Sequence, residues 1–161
     1  MKTFSDIPVF PLKSIILPGG QFPLRIFERR YLDMTRDCLK YNSGFVIALT
    51  KTDSEYISSV YDYACYVEIV DWSQLDGGLL GITVEGKKIV KLDDYSLNES
   101  NLLIGDAVEI NIGVDYLIPQ KYQILSKFYK KIYPEIKAYI FHINPKYNDA
   151  NWLGFRLIEC L

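Results

Sequence analysis

Apolar residues recur along the chain with two different periods. Through residue 115 the dominant period is two, the spacing of strands; beyond it the spacing becomes three and four, the spacing of helices. In the first part, "IPVFPLK" and "QFPLRIF" read as short extended segments around the turn "LPGG" at 17–20. Pro8, Pro11 and Pro23 lack an amide donor, which places these strands at edges, ends or bulges. From Phe27 through "ERRYLDMTRDCLKYN" the residues Phe27, Tyr31, Met34, Cys38 and Tyr41 are spaced by four and three, predicting one helix with a single buried stripe. Arg29 with Asp33, and Asp37 with Lys40, are spaced as exposed ion pairs, and Gly44 stands where a left-handed cap belongs.

"FVIALTK" is apolar on both faces, as an interior strand is. The polar stretch "TDSEYISS" follows, then the long strand "YDYACYVEIVDW", a turn at Gly77-Gly78, and "LLIGDAVEINI". Between them lies "GITVEGKK", which carries most of a phosphate-binding P-loop. Its interior is Ile82, Thr83, Val84 and Glu85: three β-branched residues and a carboxylate that would face a polyanion. Lys88 replaces the magnesium-binding hydroxyl. Leu80, Ile82 and Val84 alternate with polar or small residues, and the alternation resumes after Gly86. The segment therefore reads as two strands joined at a tight turn on Gly86, not as a nucleotide loop.

Past residue 115, Ile118, Tyr122, Leu125, Tyr129, Ile132, Ile136, Tyr139 and Ile143 step by four and three, a long amphipathic helix that Pro134 should kink or split. Asn148 or Asp149 is placed to cap a last helix, "ANWLGFRLIECL". These patterns predict an α+β protein in two units. Residues 1–115 form a small, partly open β-barrel with one inserted helix, and residues 116–161 a helical subdomain. Charge divides at the same place, the first unit carrying a net −6 and the second +4 within a total of −2.

Composition narrows the chemistry. With 49% apolar residues the chain can bury a core, and no apolar run reaches the length of a membrane span. Cys38, Cys65 and Cys160 form no CxxC pair and read as small buried hydrophobes with reduced thiols, in a cytoplasmic setting. One histidine, His142, cannot build a histidine-based metal site. No spacing marks a nucleophile with its base, so the expectation is no catalytic residue, no metal and no cofactor. Arg25, Arg29 and Arg30, and Lys127, Lys130 and Lys131, are basic clusters. An acidic first unit disfavours nucleic acid, and solvated helix faces account for the lysines.

The segment "IPVFPLKSIILPGGQFPLRIFERRYLDM" resembles the opening of the Lon N-terminal domain family, with its Pro-Leu strand, "LPG" turn and "IFE-x-RY" entry to a helix. "YACYVEIVDWSQLDGGLLGITVEGKKIVKL" and "NWLGFRLIECL" continue the resemblance over nearly the whole chain. Ala64-Cys65 and Lys88 depart from it, standing where the family often has Gly-Thr and arginine. The resemblance implies a PUA-like β pseudo-barrel followed by a C-terminal helical subdomain. The resemblance also implies a further helix after "RLIECL" that this sequence lacks, so the expectation is an apolar face on the last helix and weak self-association through it. It is similar to stand-alone bacterial forms without the ATPase and Ser-Lys peptidase domains of Lon proteases.

The resulting expectation is a non-catalytic module that binds unfolded or exposed polypeptide, or a protein partner. It would do so by strand addition at a sheet edge or in an apolar groove where barrel and helices meet. The alternatives are a PUA-like RNA-binding module and an adaptor or regulator of a separate Lon protease. The candidate partner-binding residues are Phe22, Arg25, Arg29, Trp72 and Tyr133. The ordinary fate of such residues competes with this: a tryptophan in the core or at a seam, Arg25 paired to Glu28.

Overall fold

The computed structural model of the protein describes residues 1–51, 59–113, 116–137 and 144–161. Six strands and three helices make an α+β fold: β1 Thr3–Leu12, β2 Gln21–Ile26, α1 Arg29–Tyr41, β3 Phe45–Leu49, β4 Tyr63–Gln74, β5 Leu80–Leu97, β6 Leu103–Glu109, α2 Gln123–Ile136 and α3 Ala150–Glu159. Among the described residues no helix is long and apolar enough to cross a membrane.

The strands run in the order β2-β5-β4-β3-β1-β6, and β5 also pairs with β6, so five of them close a ring and β2 lies outside it. Among the described residues only β1 and β3 pair in parallel. The ring's interior is filled from all five strands, by Val9, Val46, Tyr66, Val90, Leu92, Leu103 and Ala107 among others. A second core lies on the other side of β3, β4 and β5, where Phe45, Ile47, Cys65, Val67, Ile82 and Val84 meet Tyr31, Met34 and Cys38 of α1. β3 therefore buries both faces, as an unbroken apolar run requires.

β5 carries the main correction to the sequence reading. There is no turn at Gly86; β5 is one continuous strand of 18 residues. The hairpin turn lies earlier, at 75–79, where Gly77 and Gly78 adopt φ of 75° and 80°. At Gly86 the strand is bulged: Tyr66 pairs with Lys88 and Val67 with Gly86, leaving Lys87 extra. A bulge exchanges the faces of everything that follows it. Ile82 and Val84 therefore face the α1 core, while Val90 and Leu92, of the same parity, face the ring interior. Gly86 is glycine because the 17–20 turn crosses it: Gly19 N donates to Gly86 O (2.8 Å) and Gly86 N to Gly20 O (2.9 Å). A Cβ there would collide with the Leu17 carbonyl.

Helix ends also differ from expectation. Tyr31, Met34 and Cys38 are buried, but Phe27 and Tyr41 are exposed, because α1 starts after the first and has turned away by the second. Asn42, not Gly44, takes the left-handed cap, with φ 49°. Gly44 instead lets β3 approach β4, since a Cβ would meet the Val67 carbonyl. Asp37 pairs with Arg36 (3.7 Å) rather than with Lys40. Pro23 does lie in an outer strand. Pro8 and Pro11 sit in β1, paired to β6 and β3 respectively, and β1 is bulged between Phe4 and Ile7.

In the C-terminal helices, α2 begins at Gln123 and runs through Pro134 to end two residues later. Its buried positions are Ser126 and Tyr129, while Tyr122 and Leu125 of the predicted stripe are exposed. Tyr139, His142 and Ile143 lie outside the described residues. Asp149 caps α3, its Oδ1 accepting from Trp152 N at 2.8 Å. Ile118, Tyr129, Trp152 and Leu153 form a third cluster. Arg156 fastens α3 to the 17–20 turn. Its fully buried guanidinium lies 2.7 Å from Glu159 Oε2 and donates to the Leu17 and Pro18 carbonyls. Glu159 in turn accepts from Leu17 N (2.8 Å).

Candidate functional site: a three-stranded wing with a free edge

The ring and β2 divide the long hairpin in two. β3 pairs with β4 only at residues 65–67. Beyond Val67, β4 has β5 on one side and no strand on the other among the described residues. Residues 68–74 of β4, 80–85 of β5 and all of β2 thus make a three-stranded wing projecting from the ring.

Register sorts the wing's side chains. On one face Ile69 lies opposite Val84 and Phe22, and Trp72 opposite Ile82 and Leu24. On the other face lie Glu68 with Glu85, Asp71 with Thr83, and Ser73 with Gly81 and Arg25. Val70 is the extra residue of a second bulge between Ile69 and Asp71. The first face is apolar and continues the α1 core, which buries Leu24, Ile82 and Val84 and half-covers Phe22 and Ile69. At the free edge that cover runs out, leaving Trp72 59% exposed and Val70 45% exposed.

Three of the five predicted residues therefore meet on the wing. Phe22 and Trp72 share its apolar face two rungs apart, and Arg25 stands on the opposite face, exposed and without the expected Glu28 partner. Glu28 pairs instead with Arg30 at 2.7 Å. Trp72 is not a core or seam residue; Trp152 is, at 7% exposure. Arg29 lies off the wing in the first turn of α1, bonded to Asp33 Oδ2 at 3.0 Å. Tyr133 lies in α2, half-buried with its ring centroid 6.1 Å from those of Tyr129 and Tyr147. The sequence reading missed Glu68, Val70 and Asp71, because nothing in "VEIVDWS" says that β3 ends where Glu68 begins.

Concavities lie elsewhere, two of them beside α3. One, of about 360 Å³, is lined by Ile15, Ile16, Ile47, Ala64, Phe155 and Ile158, an apolar groove where the sheet meets α3. The other, of about 530 Å³, is mixed in character, lined by Trp152 and Phe155 as well as by Glu85, Lys87, Lys88 and Glu109. Four of its charged residues pair with one another: Lys87 reaches Glu85 at 2.6 Å and Lys88 reaches Glu109 at 2.8 Å. Burial raises the Glu85 carboxyl, but hydrogen bonds from Lys87 and Gln21 outweigh it and leave the group below its ordinary value. The cysteines are placed against reactivity. Burial pushes Cys65 up to about 12, and Cys38 is raised for the same reason; only Cys160 is exposed, contrary to expectation. Among the described residues no cluster of side chains could hold a metal ion.

A ring of strands with a projecting wing and C-terminal helices, its exposed chemistry lying at a strand edge, defines a class of α+β domain. The chain belongs to the family described as the ATP-dependent protease La (LON) substrate-binding domain, which it matches over residues 6–152. A Lon N-terminal domain protein from Xanthomonas campestris is similar in structure, with TM-score 0.80 and 26% identity over 98% of this chain and 83% of that one. The N-terminal domain of Mycobacterium avium complex Lon protease shares the fold, with TM-score 0.58 and 16% identity over 86% and 71%. No curated protein matches the chain in sequence.

Proposed function

We propose that this chain is a non-catalytic recognition module that binds exposed or unfolded polypeptide segments along its wing. The observation that carries the reading is the edge of β4 from Glu68 to Gln74, which has no strand partner among the described residues, with Trp72 standing exposed on the sheet face beside it. A strand edge offers main-chain donors and acceptors to any extended chain, while side-chain pockets beside it add selectivity. Exposed edges are otherwise a liability that proteins cover. An uncovered edge beside a tryptophan suits a module whose ligand is backbone. The family's description names substrate binding, which supports the same reading. Phe22 and Arg25 belong to the proposed surface; Arg29 and Tyr133 do not lie on it. A cytoplasmic setting is part of the proposal, supported by three free cysteines.

The test is binding of a fluorescently labelled, permanently unfolded protein, compared with its folded form, as the salt concentration is raised. The unfolded form should bind selectively, and Trp72→Ala should weaken it at least about tenfold, as removal of a central aromatic anchor does. Failure to bind any unfolded chain at micromolar concentration overturns the proposal. Affinity for RNA that collapses steeply with salt would replace it by the nucleic-acid reading.

A further inference from the structure

The wing's two faces differ in charge as well as in polarity. No Lys or Arg occurs between Lys51 and Lys87. On the wing this stretch places Glu68 and Asp71 along the free edge, Asp76 at the hairpin turn and Glu85 on the neighbouring strand. Glu68 and Glu85 are directly opposite each other, an arrangement in which like charges repel. Glu85 is compensated by Lys87 (2.6 Å) and Gln21 (2.8 Å). Glu68, Asp71 and Asp76 form no ion pair among the described residues. Arg25, on the same face, belongs to β2, two strands and so about 10 Å from the edge.

A strand added beside β4 turns alternate residues to alternate faces. Its residues would meet, in turn, the Ile69–Trp72 face and the Glu68–Asp71 face. We propose that the free edge of β4 takes an extended segment in which apolar residues alternate with Lys or Arg. The apolar side chains lie on the Trp72 face, and the cations on the carboxylate face supply the counter-charge that Glu68 lacks. Charge excludes the other occupants. A polyanion meets only carboxylates along this edge, and a second copy of the chain paired through β4 brings acid against acid. The proposal rests on the polypeptide-binding reading and narrows it to a class of segment.

Three labelled peptides of about eight residues, the length of an ordinary strand, test it. One alternates Val and Lys, one alternates Val and Glu, and one carries the first peptide's residues as a Val block followed by a Lys block. Anisotropy should show the alternating Lys peptide binding about tenfold tighter than either control, the gain expected of two exposed ion pairs in register. Its binding should shift the tryptophan emission, and Trp72→Phe should abolish the shift, since Trp152 is buried. The double variant E68K/D71K should invert the preference between Lys and Glu peptides. Both positions are exposed, so this variant keeps the fold.

Equal affinity for the Lys and Glu peptides, equal affinity for the block peptide, or no inversion in the double variant overturns the proposal. So does a stable dimer that Trp72→Ala dissolves, because the edge is then occupied by the chain itself. An unfolded protein that still binds in those cases leaves the broader reading standing; if it too fails to bind, both fall.

Discussion

The two halves of the β4–β5 hairpin have the same secondary structure and opposite fates. In the ring half, Cys65, Tyr66 and Val67 have a strand on each side and a core on each face, and all three are buried. In the wing half, Ile69 to Gln74 has, among the described residues, one neighbouring strand and one partly covered face, and most of its residues are exposed. Both are extended strands of the same hairpin, and the wing half differs in backbone only by the bulge at Val70. What differs is whether β3 lies alongside, and it begins only at Phe45, after the Asn42 cap and Gly44 have turned the chain out of α1. A strand contributes to stability in proportion to what flanks it, and what is left unflanked is available for binding.

That contrast can be broken most directly by truncation on either side. Phe45→Ala empties a fully buried site at the end of the ring and should lower the unfolding free energy by about 3–5 kcal/mol in a denaturant titration. Gly86→Ala acts at the junction of the two halves. Its methyl group would press on the Leu17 carbonyl and push the 17–20 turn off β5, a crowding that should cost about 1–3 kcal/mol by the same measurement. It should also raise hydrogen exchange at the Gly19 amide, which loses its bond to Gly86. Trp72→Ala, despite removing the largest side chain on the wing, should change stability by no more than about 0.5 kcal/mol, the range of exposed substitutions. A destabilisation as large as that of Phe45→Ala would mean that the wing is covered in solution.

Acid offers the gentlest probe. Hydrogen bonds from Lys88 and the Lys2 amide hold the Glu109 carboxyl below its ordinary value of 4.5. A carboxylate with a depressed value in the folded state contributes stability above its unfolded value, and that contribution is lost as pH falls through the folded one. The melting temperature should therefore decline below about pH 4.5, and Glu109→Gln should remove a small part of the decline. The effect belongs to the ring, where Glu109 ties the end of β6 to β5.

Much of this architecture was readable from pattern. The unbroken apolar run of β3, the Tyr31–Met34–Cys38 stripe, the glycine turns at 19 and 77–78 and the Asp149 cap all follow from local rules that the fold respects. The errors have a common origin. A glycine followed by a change in alternation is the signature of a hairpin and equally of a bulge, and "EGKK" carries no mark that chooses between them. The choice was made by the turn at Leu17, distant in sequence, which lies against Gly86 and hydrogen-bonds to its backbone. Leu125 and Tyr122 failed as core positions in the same way, since a helical stripe states which residues share a face but not how far the covering surface extends. Of the site, Phe22, Arg25 and Trp72 were legible as residue types suited to binding. That they share a wing was not.

By itself the sequence determined the period of each segment, the composition of two apolar faces on β5 and the absence of cations between Lys51 and Lys87. Those are properties of residues and their neighbours along the chain, and every conformer shares them. Only the tertiary structure decided which strand edge lacks a neighbour and which tryptophan is left in water. Hydrogen-bond partners in a sheet, and cover for a side chain, come from segments far away in sequence, and no local pattern records where those segments end.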